Sequence, residues 1–194
     1  NNSRHKIRSG VGIMKWLVFD TSWGWAAVLS DNRLIKQTIL PSAVGLNEFK
    51  AGLESNGIES RLIGENDVTL PLINNIRRYF QGQLIENWEA QWDINSLPVF
   101  TQKVLKHVSN IPYGMTKTYG EVARELEKPR AARAVGRALS LNPLPLLIPC
   151  HRVLAQNGRL GGFTAPGGVE TKKALLALEN GVISYHNSAR RVQP

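Results

Sequence analysis

The single cysteine of this chain, Cys150, stands in residues 142–153, NPLPLLIPCHRV, and is followed at once by His151 and Arg152. A thiol beside two side chains able to carry positive charge is in a setting where the thiolate becomes accessible at neutral pH. Residue type alone therefore points to nucleophilic attack by Cys150. His151 or another histidine would activate it, with a carboxylate behind the imidazole. Neighbours in sequence need not point the same way, however. A lone Cys-His pair is more often a buried, unreactive cysteine than a nucleophile.

The segment that holds Cys150 has a definite mechanical character. Pro143, Pro145 and Pro149 each fix φ and remove a backbone donor, which excludes a helix interior or a central strand. Leu144, Leu146, Leu147 and Ile148 make the same piece apolar enough to run beneath the surface. Cys150 is thus expected at the end of a stiff, partly buried connector.

Composition narrows what surrounds it. The chain has 194 residues, enough for one domain or two modest ones. Its balance of 42% hydrophobic to 20% charged residues is that of an ordinary soluble protein. No stretch approaches the roughly 18 consecutive apolar residues of a membrane helix. With one cysteine there is no internal disulfide and no cysteine-rich zinc site, so a reducing compartment is expected. Residues 1–13 are polar and basic and read as a flexible or appended tail, not a secretory signal. The net charge of +9 is unevenly placed. Residues 1–100 hold ten Lys or Arg against ten Asp or Glu, whereas 101–194 hold fourteen against five. A basic half joined to a neutral one suggests a polyanionic partner, nucleic acid first.

In the first half, residues 15–21 and 25–29 read as strands broken by a Ser22-Trp23-Gly24 turn, with a third strand over 34–40. Helices over 47–55 and 70–81 would cover this antiparallel meander, and 60–64 supplies one more short strand. Trp88 and Trp92 read as packing residues. Near Pro98 the pattern changes to helix after helix, which puts a domain boundary between about residues 88 and 98. A helix from Val99 to Val108 would bury Val99, Phe100, Val104, Leu105 and Val108. Thr118, three residues before Glu121, has the spacing of a reciprocal capping box. A second short helix over 130–139 would begin near Pro129. It would pack through Ala131, Val135, Ala138 and Leu139 and present Arg130, Arg133 and Arg137 outward. Two such helices form a helix-turn-helix, and the arginines suit phosphates better than a merely solvated face. Glycine-rich loops at 158–168, a terminal helix over 171–179 and a poorly ordered basic tail after Tyr185 complete the chain.

The run Ile148-Pro-Cys-His-Arg-Val153, with Asn142-Pro143 and Arg130-Ala-Ala-Arg-Ala-Val-Gly136 before it, resembles the O6-alkylguanine-DNA alkyltransferases. These are also called methylated-DNA–protein-cysteine methyltransferases. The likeness covers most of residues 99–180 and includes Ile111-Pro-Tyr-Gly114, while the first half matches only in size and in its hairpin start. The resemblance implies a ribonuclease-H-like α/β domain with a mainly antiparallel sheet over 14–93. It implies a mostly helical, winged-helix-like domain over 98–185.

It also implies an activity: stoichiometric, irreversible transfer of an alkyl group from O6 of guanine in double-stranded DNA to Cys150. His151 would deprotonate the thiol through water, and Glu179 would orient the imidazole. Tyr119 would donate to N3 of the leaving guanine. Arg133 would replace the extruded base in the stack, within a minor-groove contact made by Thr118, Arg130, Ala132, Gly136 and Arg137. Asn142 would hold the turn, and Pro145, Val153, Phe163 and Thr164 would shape the guanine pocket, with the carbonyls of Cys150 and Val153 reading the base. No metal, cofactor or membrane is implied. A monomer is expected, in the cytoplasm or, in a eukaryote, the nucleus. Phe163 departs from the family's usual tyrosine and leaves the preferred alkyl size open. Two other readings remain: a module that binds alkylated DNA without efficient transfer, and a thiol hydrolase.

Overall fold

The computed structural model describes residues 14–31, 34–65 and 67–190, with 182–190 described by backbone alone. The tail expected over 1–13 lies outside the described residues. Strands β1 (Lys15–Thr21), β2 (Gly24–Ser30) and β3 (Ile35–Ser42) form the antiparallel meander read from the sequence. β4 (Ser60–Leu62) adds on the far side of β1 and runs parallel to it, giving the order β3-β2-β1-β4. Gly24, at φ 117°, makes the tight turn possible, since a Cβ there would lie 2.2 Å from the Ser42 carbonyl oxygen.

Alternation along the strands sends side chains to two faces. Trp16, Val18, Ala27 and Leu29 pack with Phe49 and Leu53 of α1 (Leu46–Glu54). Leu17, Phe19, Ala26 and Val28 pack with Leu72, Ile73, Ile76 and Tyr79 of α2 (Leu70–Phe80). That second cluster does not stop at the end of the sheet. It continues through Val104, Leu105, Val122, Val135, Leu144, Ile148 and Leu175, so one core joins both halves of the chain. Trp88 packs against Tyr79 at 5.7 Å between ring centroids, in keeping with a packing role.

The second half contains α3 (Val99–Val108), α4 (Tyr119–Glu125), α5 (Ala132–Ser140) and α6 (Gly168–Arg190). β5 (Lys117–Thr118) and β6 (Val153–Leu154) pair in parallel. Three details differ from the sequence reading. Val99 is 69% exposed, because it occupies the first turn of α3 and points away from the core, while Thr101 is buried. Pro129 and Arg130 lie in the turn before α5, whose first helical residue is Ala132. The last helix begins three residues earlier than read from the sequence, at Gly168, and its backbone continues past Tyr185 to Arg190. The 84–98 connector forms no helix, and it meets the sheet edge where Ile35 bridges to Trp92.

Candidate active site

The capping box at the start of α4 is complete. Thr118 Oγ1 accepts from the Glu121 amide at 3.1 Å, and Glu121 Oε2 accepts from the Thr118 amide at 2.6 Å. This fixes the first turn of α4 and with it Tyr119, whose ring lies half-buried beneath α5. Gly161 makes room on its other side: at φ 66°, a Cβ there would come within 3.0 Å of the Tyr119 hydroxyl. Gly136 of α5 faces the same ring more loosely, at 3.8 Å.

The proline-rich segment is, as expected, a buried strap. Leu144, Leu146, Leu147 and Ile148 are at most 3% exposed. Leu146 adopts φ 76°, a left-handed conformation that a branched side chain takes only when its surroundings impose it. Two things hold the strap. Asn142 donates through Nδ2 to the Ile148 carbonyl at 2.9 Å and accepts at Oδ1 from the Leu144 amide at 3.0 Å. Thr38 of β3 donates from its amide to the Pro143 carbonyl at 2.9 Å and from its hydroxyl to the Pro145 carbonyl at 2.7 Å.

The strap ends in a 3-10 turn, Cys150–Arg152. Cys150 Sγ accepts from Asn142 Nδ2 at 3.2 Å, and Cys150 lines a cavity of about 810 Å³. Thr118, Tyr119, Ala132, Arg133, Gly136, Arg137, Phe163 and Thr164 share that cavity. Arg130 does not line it. Pro145 instead meets Cys150 and Phe163 in a smaller recess of about 140 Å³ beside β3.

Burial pushes the Cys150 thiol above its ordinary range, and the Asn142 hydrogen bond and the Lys172 charge pull it only part of the way back. The expected low thiol pKa is therefore not what the geometry supplies. Arg152 explains part of the difference, because it turns away from sulfur. Its Nη2 and Nε donate to Glu179 at 2.9 and 3.0 Å, and Nη1 donates to the Ile111 carbonyl at 2.6 Å.

Glu179 is wholly buried and is a hub. Besides Arg152 it accepts from His151 Nε2 at 2.8 Å, from the Tyr79 hydroxyl at 2.8 Å and from the Gly114 amide at 2.9 Å. Burial alone would raise its carboxyl; the His151 and Arg152 interactions outweigh that and hold it at about 2. An ionised carboxylate only accepts, so Nε2 of His151 carries the hydrogen and Nδ1 is the free basic nitrogen. Burial lowers the His151 pKa, against the pull of Glu179, so the ring is neutral near pH 7. Its Nδ1 is buried and has no hydrogen-bond partner among the described residues, which leaves a lone pair to take a proton.

Sequence reasoning placed Cys150, His151, Glu179, Tyr119 and Asn142 in one region, and the fold brings them together. It passed over Lys172, Tyr79 and the true direction of Arg152. Lys172 is fully buried, and its Nζ donates to the Val153 carbonyl at 2.6 Å and lies 5.8 Å from the Tyr119 ring centroid. Burial draws its pKa down to about 8. The Val153 side chain is in the core, and its carbonyl, assigned above to the base, is engaged by Lys172. The Cys150 carbonyl likewise accepts from the Val153 amide. Each oxygen retains one lone pair. Among the described residues no group of three or more His, Cys, Asp or Glu could hold a metal ion. No helix among them is long and apolar enough to cross a membrane.

Residues 99–181 match the family model described as the 6-O-methylguanine DNA methyltransferase DNA-binding domain. The methylated-DNA–protein-cysteine methyltransferase of Mycobacterium bovis is 34% identical over 156 residues, 80% of this chain and 82% of the relative. That of Mycobacterium leprae is 36% identical over the same length and coverage. Mycobacterium tuberculosis OGT, solved in complex with DNA, superposes with a TM-score of 0.70 at 28% identity, covering 87% of this chain and 94% of that one. Sharing 34% and 36% of residues with the first two of these relatives over 80% of its own length, the chain belongs to the methylated-DNA–protein-cysteine methyltransferase family.

Proposed function

We propose that the direct repair reaction of this family takes place here at Cys150, with O6-alkylguanine in double-stranded DNA as the substrate. The observation that carries the reading is that Cys150 lines the cavity shared by Tyr119, Phe163 and the arginine face of α5, while Glu179 and His151 are buried and paired beside it. His151 Nδ1 takes the thiol proton, directly or through water. As that proton leaves, Sγ attacks the alkyl carbon, an S–C bond forms as the C–O6 bond breaks, and the electron pair leaves with guanine. The proton lost from sulfur is returned overall to the base, by way of the Tyr119 hydroxyl at N3.

Each role follows from placement. Because burial raises the thiol, sulfur reacts from a neutral pair by proton transfer to His151 during attack, not from a standing thiolate. Burial also raises the Tyr119 phenol, followed in effect by the nearby Cys150, so the phenol remains a donor. A base inside the duplex cannot approach sulfur to the ~3–3.5 Å that attack requires, and extrusion costs a few kcal/mol. Arg133 is exposed at the mouth of the cavity and fills the vacated stack. Ala132 and Gly136 let α5 press into the minor groove, Thr118 and Arg137 flank the path, and Arg130 contributes phosphate contact from the preceding turn. Phe163 and Thr164 wall the base, and Pro145 borders the recess that receives the alkyl group.

The finer fold reading is a ribonuclease-H-like unit over 14–93 and a winged-helix-like unit over 98–185. It is supported by the mixed four-stranded sheet and by α4 and α5 beside the β5–β6 pair. A DNA-repair role fits the cytoplasm, or the nucleus of a eukaryote.

The test is the intact mass after incubation with duplex containing O6-methylguanine. One methyl group is expected on the parent protein and none on Cys150→Ala. Duplex binding without any adduct would sink the transfer reading and leave a damage-binding module.

A further inference from the structure

The hub around Glu179 includes one group from outside the second half of the chain. Tyr79 sits on α2, which covers the β-sheet, and its hydroxyl reaches across one hundred residues of sequence to Glu179 Oε1 at 2.8 Å. It is fully buried. Its ring is fixed edge-on to Phe80 at 5.2 Å and to Tyr113 at 5.8 Å, and tilted against Trp88 at 5.7 Å. The oxygen it meets is the one that accepts from His151 Nε2. Hydrogen bonds at one carboxylate oxygen compete: each donor withdraws charge that the others would otherwise feel. A phenol placed there does more than fill space.

We infer that Tyr79 is a positioning residue of the alkyl-transfer site, through which the first half of the chain holds the Glu179 carboxylate and sets the basicity of the His151 imidazole behind Cys150. The inference rests on the transfer reading above and extends it to the sheet-bearing half. Among the described residues, four further charged or titratable groups face the pair. Arg152 pairs with Glu179 from the 3-10 turn, and Lys172 approaches from α6. Cys150 lies beside His151, and Tyr113 comes from the loop after α3. Of the two buried phenols, only Tyr79 bonds the carboxylate; the Tyr113 hydroxyl has no partner among the described residues. Tyr113→Phe is therefore a matched control, deleting a buried oxygen nearby without touching Glu179.

The experiment measures the single-turnover rate of benzyl transfer from free O6-benzylguanine against pH, on the full chain. His151 must be neutral to accept a proton, so the rate falls on the acid side as the imidazole protonates. Removing one donor in Tyr79→Phe returns charge to Glu179 and stabilises the imidazolium. The acid limb should then move to higher pH by about half a unit, and the plateau rate should fall roughly threefold to tenfold as the carboxylate loosens. Installing 3-fluorotyrosine at position 79, a stronger donor, should move the limb the opposite way, which keeps the test decisive if the Phe variant is poorly folded. NMR titration of the His151 ring should show the same two shifts. Limbs that superpose on the parent, or an equal shift in Tyr113→Phe, overturn the inference. A parent that takes up no benzyl group defeats the transfer reading instead, and the NMR titration then still decides whether Tyr79 governs the imidazole.

Discussion

At the scale of single residues, Asn142 carries more than its position in a turn suggests. One side chain ties both ends of the proline strap and also donates to sulfur. A hydrogen bond to a developing thiolate contributes about 1.5 kcal/mol or more, a little over tenfold in equilibrium. Asn142→Ala should therefore raise the Cys150 pKa further and slow its alkylation by iodoacetamide near neutral pH by about tenfold, with the gap closing at high pH. An unchanged rate would show that the bond to sulfur has no electrostatic effect. The residues legible in sequence were those whose type names their chemistry. Cys150 and His151 are of that kind, whereas Tyr119 stood out only through the family resemblance. Lys172 was not, because a lysine in an amphipathic helix reads as solvated until the fold shows it beneath Tyr119. Arg152 was misread for a related reason: adjacency to Cys150 hid a partner that lies 27 residues away.

At the scale of elements, signals that close within a few residues were readable and those made across the fold were not. The Thr118–Glu121 box, three residues wide, located the start of α4 correctly. The start of α5 was misplaced because proline at a first helical turn and proline in the turn before it look alike in sequence. The two glycines around Tyr119 offer a test of how tightly α4, α5 and the 158–168 loop hold that ring. Gly161→Ala must both strain a left-handed backbone and displace the Tyr119 hydroxyl, so benzyl transfer from the free base should fall by roughly tenfold or more. Gly136→Ala meets the ring only at ordinary contact distance and should leave that rate within about twofold. Its added methyl group would weaken duplex binding instead, as measured by fluorescence anisotropy. Equal effects of both changes on both readouts would remove the distinction drawn between the two contacts.

At the scale of the whole molecule, the charge asymmetry pointed correctly to the half that carries the arginine-lined cavity. The shared core and the crossing bonds from Thr38 and Tyr79 were invisible, since nothing in the composition of a strand or a helix says which distant carbonyl or carboxylate it will meet. The buried Glu179 site, through its His151 and Arg152 partners, gives the fold a definite acid sensitivity. Glu179 is held near 2, below its ordinary 4.5, and His151 is held below its ordinary 6.5. In both cases the unfolded chain binds more protons. Stability is then fully present above the ordinary values and is lost as pH falls, through about 4.5 towards 2 for the carboxylate. The thermal midpoint should drop steeply between about pH 4.5 and pH 2, in one transition shared by sheet and helix signals. Glu179→Gln should lower the midpoint at neutral pH and flatten that acid limb; an equally steep limb in the variant would refute the assignment.

Thr38 has a practical consequence for anyone trimming this protein. A fragment beginning near Val99 would keep Cys150, His151 and helices α4 and α5. It would lose the bracket from which the Pro143 and Pro145 carbonyls hang, and the apolar strap behind Cys150 would face water. Such a minimal transferase would need new scaffolding at that edge before its sulfur stood where the intact chain holds it.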